Sequence, residues 1–91
     1  AVLAAQEGVL EVAVVGAPHE LYGEEPVAYV TAYPGVTLDP EDLRVRCREH
    51  LARVKVPVAV HVLEALPKNP VGKIDKPALR TLRPAATTTG A

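Results

Sequence analysis

The stretch "VLEVAVVGAPHELYGEEPVAYVTAY", residues 9–33, carries two apolar runs around a short polar segment, and its reading decides the fold. Residues 9–17 are apolar and rich in β-branched side chains, and Gly16, Ala17 and Pro18 end the run. That pattern reads as a buried strand. "HELYGE" (19–24) reads as a loop with Gly23 at its turn. Residues 25–33 alternate Val27, Tyr29 and Thr31 against Ala28, Val30 and Ala32, so they read as a second strand, antiparallel to the first.

Working outward, "AVLAAQEGV" on the N-terminal side reads as part of a short helical segment. On the other side, "PGVTLDPEDLRVRCREHLARV" holds the clearest helix. Asp39 is its cap, Pro40 its first helical residue, and Glu41 and Asp42 face the positive end of the dipole. Leu43, Cys47, Leu51 and Val54 recur at helical spacing as the buried stripe, with Asp42/Arg46 and Glu49/Arg53 as i,i+4 pairs on the wet side. "VAVHVLE" (58–64) reads as a third strand, with Val58, Val60 and Val62 on one face and His61 on the other. Asp75 then caps a second short helix reaching about Leu82. The order β-β-α-β-α predicts an α+β fold, a small antiparallel three-stranded sheet packed with helices. It is expected over residues 1–83, with 84–91, "PAATTTGA", as an unstructured tail. Both ends read as those of a fragment or terminal domain.

Composition narrows the function classes. The 91 residues have a net charge of −1, from ten basic and eleven acidic side chains, which argues against a nucleic-acid or anionic-membrane surface. No apolar run approaches the roughly 18 residues that span a bilayer, and no charged n-region opens the chain. The single Cys47 has no disulfide partner, which fits a reducing cytoplasm. There is no Phe, Trp or Met; the apolar set is mostly Ala and Val, so the core is expected to be modest and the stability marginal. Serine is absent, excluding a serine nucleophile. His19, His50 and His61 lack metal-ligand spacing, and no glycine-rich phosphate cradle precedes Lys73.

What remains is "LPKNPVGKIDKPALR", residues 66–80. Pro67 and Pro70 fix φ and bias the residues before them toward extended backbone, holding the loop out from the body. Gly72 lets the backbone approach another surface, and Lys73 projects a compact cation with three donors. On the residues alone, the loop reads either as solvated basic surface, the commoner case, or as a lysine that meets an incoming phosphate or carboxylate. Lys68 and Lys76 would raise the local positive potential. Cys47 reads as core, Tyr29 and Tyr33 as packing on one strand face, His19 as a solvated loop histidine and Glu24 as a loop anchor.

This segment resembles the last signature of the adenylate-forming superfamily, which includes acyl-CoA synthetases, luciferases and peptide-synthetase adenylation domains. The likeness extends upstream: "EVAVVGAPHELYGEEPVAYVTAYPG" resembles the family's strand, Asp/His-Glu-x-x-Gly-Glu loop and next strand. "PEDLRVRCREHLARVKVP" resembles the helix that enters its Leu-x-x-Tyr-Lys-x-Pro signature, with Val54 where an aromatic is common. Val71 likewise stands where Ser or Thr is common.

The resemblance implies the C-terminal lid domain of such an enzyme. Lys73 would be the catalytic lysine bridging the substrate carboxylate and the α-phosphate of ATP, with Gly72 beside it in the ATP and acyl-adenylate site. ATP, CoA and Mg²⁺ would serve the full-length enzyme, and none would be bound by this piece alone. The partners implied are a large N-terminal domain and a small carboxylic acid. Lys73 would also be a candidate acetylation site. The family's hinge and its thiol-facing glycine loop lie upstream, so no CoA-binding residue is assigned. "PKNPVGK" leans toward acyl-CoA synthetases. An adenylation domain that loads a carrier protein, and a non-catalytic interaction module, are the alternatives.

Overall fold

The structure is a computed structural model that describes residues 3–19, 21, 23–50, 56–81 and 88–89. Strands β1 (Val9–His19) and β2 (Gly23–Ala32) form the expected antiparallel hairpin, in register from Val9↔Ala32 to His19↔Gly23. β1 runs two residues further than expected, and β2 begins two residues earlier and ends one residue sooner; Gly23, its first residue, has φ +76°. Pro18 is accommodated because β1 is an edge strand, where a missing N–H can face solvent. A register shift between Val9 and Glu11 leaves Leu10 as the extra residue of a bulge.

Helix α1 (Pro40–His50) begins where the cap predicts: the Glu41 N–H donates to Asp39 Oδ1 at 3.0 Å, and the Leu43 N–H donates to Asp39 O at 3.1 Å. Leu43 and Cys47 are buried, and Asp42 pairs with Arg46 at 3.0 Å. Leu51, Arg53 and Val54 lie outside the described residues.

Strand β3 (Ala59–Val62) corrects the expected topology. It pairs with β2 in parallel, Val27↔Ala59 through Val30↔Val62. A helix between two neighbouring strands carries the chain back to the starting end of the sheet, so the returning strand runs in the same direction. The sheet is therefore mixed rather than antiparallel. A fourth short strand, β4 (Thr88–Thr89), pairs antiparallel with Val60 and His61, giving the order β1-β2-β3-β4. Two residues of the expected unstructured tail thus lie in the sheet; the others of 84–91 are outside the described residues. Residues 3–8 form turns, not the expected helical segment. The Gln6 N–H donates to Leu3 O and the Val9 N–H to Gln6 O, both three-residue steps, and Gly8 has a left-handed φ of +87°.

Both faces of β2 are covered. Ala28 and Val30 pack with Leu3, Val9, Leu38, Leu43, Cys47 and Val60 beneath α1. Val27 and Tyr29 face the opposite side, with Ala13, Val15, Leu66 and Leu79. That second face is closed by helix α2 (Lys76–Thr81), capped as expected by Asp75, whose Oδ1 accepts the Ala78 N–H at 3.1 Å. Tyr33 does not join Tyr29 in packing; it lies past the end of β2 and is 51% exposed.

Thr31 is buried, and among the described residues its hydroxyl has no hydrogen-bond partner. An unmet buried hydroxyl costs about 1–3 kcal/mol. Thr31→Val keeps the shape and removes that cost, so the urea midpoint is expected to rise by the equivalent of about 1 kcal/mol. A fall in the midpoint would show that the hydroxyl is satisfied.

Candidate functional site

The candidate site is the loop that carries Lys73 between β3 and α2. Its stem is tied at several points. Leu66 and Leu79 are buried in the second core, and Ile74 packs against it. Lys68 and Ile74 form an antiparallel bridge, and the Asp75 N–H donates to Pro67 O at 2.8 Å. A third tie is electrostatic: Lys68 Nζ donates to Glu11 Oε2 at 2.8 Å, fastening the stem to β1. Lys68 therefore does more than raise the local potential, the role expected of it. Lys76 is exposed on α2.

Asn69 organises the tip. Its N–H donates to Lys73 O at 2.8 Å and its C=O accepts the Gly72 N–H at 2.9 Å. Its side-chain Oδ1 accepts both the Val71 and the Lys73 N–H at 3.0 Å. One residue thus engages the backbone of the three residues that lead up to and include the lysine. Gly72 sits in the left-handed region at φ +86°, which a β-carbon disfavours. Nothing lies within 4 Å of where a Cβ on Gly72 would stand, so backbone conformation, not crowding, is what glycine serves in the isolated fold. Lys73 is exposed, and among the described residues no group engages its ammonium. The N–H groups of Asn69, Val71, Gly72 and Lys73 are occupied internally, so at the tip the outward donors are those of the ammonium.

The remaining candidates stand apart from Lys73. His61 is half-buried with its ring 5.0 Å from that of Tyr29, and burial lowers its pKa while raising that of the tyrosine. Cys47 is a buried free thiol whose pKa is raised by burial, as a core residue's would be. Gly16 leaves room for Glu24 to fold back over β1; a Cβ there would stand 2.6 Å from Glu24 Cδ. The side chain of His19 lies outside the described residues. A cavity of about 550 Å³ opens beside α1, with Leu38, Leu43, Asp39 and Arg46 in its wall. It belongs to the α1 face of the sheet and shares no residue with the lysine loop.

Lys73 and Gly72 are the residues the motif singled out; Asn69 and Glu11, which shape and tie the loop, were not assigned from sequence. The Asn-Pro pair is a turn-initiating signal that could have marked Asn69. No local signal links Glu11 to Lys68, 57 residues away.

Among the described residues no helix is long and apolar enough to cross a membrane. Comparison with known proteins places this geometry in a family. A 3-(7a-methyl-1,5-dioxo-octahydro-1H-inden-4-yl)propanoyl:CoA ligase of Rhodococcus jostii is 50% identical over 86% of the chain. A fatty acid–acyl-carrier-protein ligase, ScoC, of Streptomyces coeruleorubidus is 42% identical over 87%. The chain spans about 15% of the length of each of these relatives. Apo MatB of Rhodopseudomonas palustris superposes with a TM-score of 0.80 at 37% identity, over 86% of this chain and 16% of that one. The sequence model of the AMP-binding enzyme C-terminal domain matches residues 1–73, ending on the lysine itself, and the chain belongs to that family, the C-terminal domain of adenylate-forming enzymes.

Proposed function

We propose that this domain, over residues 1–83, is the mobile lid of an acid–CoA ligase and that Lys73 is its adenylation lysine. The observation that carries the reading is an exposed ammonium at a loop tip whose backbone donors from Val71 to Lys73 are already occupied. When the lid closes on a larger N-terminal domain, that cation would stand between the substrate carboxylate and the ATP α-phosphate. Carboxylate oxygen attacks phosphorus, the P–O bond to pyrophosphate breaks, and acyl-adenylate forms. The attack brings two anions together, and a cation between them stabilises the charge that builds in the transition state. Gly72 lets the loop's backbone approach the adenylate. Mg²⁺ would travel on the ATP phosphates and the larger domain, neutralising charge on the leaving group, with no ligand drawn from this chain.

In the second step the lid would swing to present another face, and the CoA thiol would displace AMP to give the thioester. CoA is preferred as acceptor because the 50% identical relative is a CoA ligase. The second reading, delivery to a carrier protein, is favoured by the similarity to ScoC. The free, buried thiol of Cys47 supports a reducing cytoplasm as the compartment. Acetylation of Lys73 would remove the charge that the first step needs and switch it off.

The test is half-reaction chemistry on the full-length polypeptide that carries this domain. With ATP, Mg²⁺ and a panel of small carboxylic acids, acid-dependent exchange of pyrophosphate into ATP is expected without CoA. Release of AMP should then follow addition of CoA. Exchange without CoA, followed by transfer only to a phosphopantetheine carrier, would select the second reading. Absence of any acid-dependent exchange would return the domain to a non-catalytic interaction module.

A further inference from the structure

We infer that Asn69 is a positioning residue for adenylation, acting through Lys73. The inference rests on the adenylation role proposed for Lys73. A lysine at the tip of an exposed loop would ordinarily sample many backbone orientations, and each ordering step would be an entropic cost at lid closure. Here the backbone is shaped before any ligand arrives. Asn69 Oδ1 receives two N–H groups, from Val71 and Lys73, and the Asn69 main chain makes two more bonds, to Gly72 and Lys73. Pro70, between them, has no N–H to satisfy and fixes its own φ. Gly72 completes the turn in the left-handed conformation. All four bonds converge on one residue, and Lys73 is held by its own N–H and C=O.

The side-chain share of this arrangement can be removed alone. Asn69→Ala leaves the two main-chain bonds available but frees the Val71 and Lys73 N–H groups to solvent. Asn69→Asp retains an acceptor oxygen at the same reach and separates hydrogen bonding from bulk. A loop that then presents the ammonium about 1 Å from its productive place can lose on the order of 100-fold in rate. The stem is secured independently by Leu66, Leu79, the Lys68–Glu11 pair and the Asp75–Pro67 bond, so the lid as a whole should survive the change.

The experiment uses the full-length ligase and measures each half-reaction separately. For Asn69→Ala, kcat for acyl-adenylate formation is expected to fall about 10- to 100-fold, with the KM values for ATP and acid within about twofold. Thioester formation from preformed acyl-adenylate should remain within about twofold, and Asn69→Asp should recover most of the adenylation rate. If both half-reactions fall together, the residue is merely structural and the inference is overturned. Unchanged adenylation in Asn69→Ala, in an enzyme that Lys73→Ala disables, would overturn it while leaving the lysine's role intact. Unchanged adenylation in Lys73→Ala would instead sink the reading it rests on, and this inference with it.

Discussion

On the proposed role, Lys73→Ala in the full-length polypeptide is expected to slow acyl-adenylate formation by about 10²–10³, the usual effect of deleting one preorganised stabiliser of developing charge. Two features of the structure make the loss hard to compensate. The loop's N–H groups at Val71, Gly72 and Lys73 are all committed to Asn69, so none of these three can replace the ammonium. Lys68, the other cation of the loop stem, is engaged by Glu11. Lys73→Arg should recover only part of the rate, because a planar guanidinium cannot occupy the position of a compact ammonium between two oxyanions. Lys73→Gln, which mimics acetylation by removing charge, should resemble the alanine variant. The thioester half-reaction, started from acyl-adenylate, should be spared in all three, since it is proposed to use another lid position. Pyrophosphate exchange and a coupled CoA assay measure the two separately. Adenylation within about threefold of wild type in Lys73→Ala would refute the assignment, the expected loss being at least 10²-fold.

Leu79→Ala is expected to have the largest effect on stability, about 2–5 kcal/mol. Leu79 is fully buried and lies at the centre of the second core, against the side of the sheet that faces away from α1. Helix α2 has six residues, too few to be stable without tertiary packing, so its buried leucine is what keeps it on the sheet. A domain of this size has about 5–15 kcal/mol of total stability, so a loss of this size is a large share of the whole. Leu79→Met, which conserves volume, should cost less than about 1.5 kcal/mol. Urea unfolding of the chain followed by circular dichroism reads both. A loss under about 1 kcal/mol for Leu79→Ala would mean that the site relaxes around the missing atoms or that α2 contributes little. Because Asp75 both closes the lysine loop's base and caps α2, the alanine variant should also lower adenylation, in proportion to the fraction unfolded.

The elements that could be read along the chain are those whose causes are local. Alternation and a glycine turn specify the hairpin of β1 and β2. Asp39 followed by Pro40 marks the start of α1, and Asp75 the start of α2, because a cap acts on N–H groups two or three residues away. The lysine loop was legible as a motif, since its prolines and glycine act on their own φ. The correspondence of strand, loop and helix order with a known lid domain then supplied what local rules could not.

Other features appeared only when the chain had closed on itself. The parallel pairing of β3 with β2 depends on where α1 returns the chain, and the residues of β3 read the same in either direction. Thr88–Thr89 joins the sheet because the far side of β3 offers unpaired backbone, which nothing in a threonine run announces. The burial of Thr31 and the exposure of Tyr33 follow from which strand ends are covered. The two ties that shape the lysine loop divide in the same way. Asn69 reaches residues two and four positions on, within range of a turn rule, whereas Glu11 meets Lys68 only because β1 and the loop stem share one face of the sheet. Hydrogen bonds over a few residues are specified by the backbone conformations that neighbouring side chains permit. Strand direction, sheet order and distant ion pairs depend on how whole elements bury their apolar faces together, which no short stretch of sequence contains.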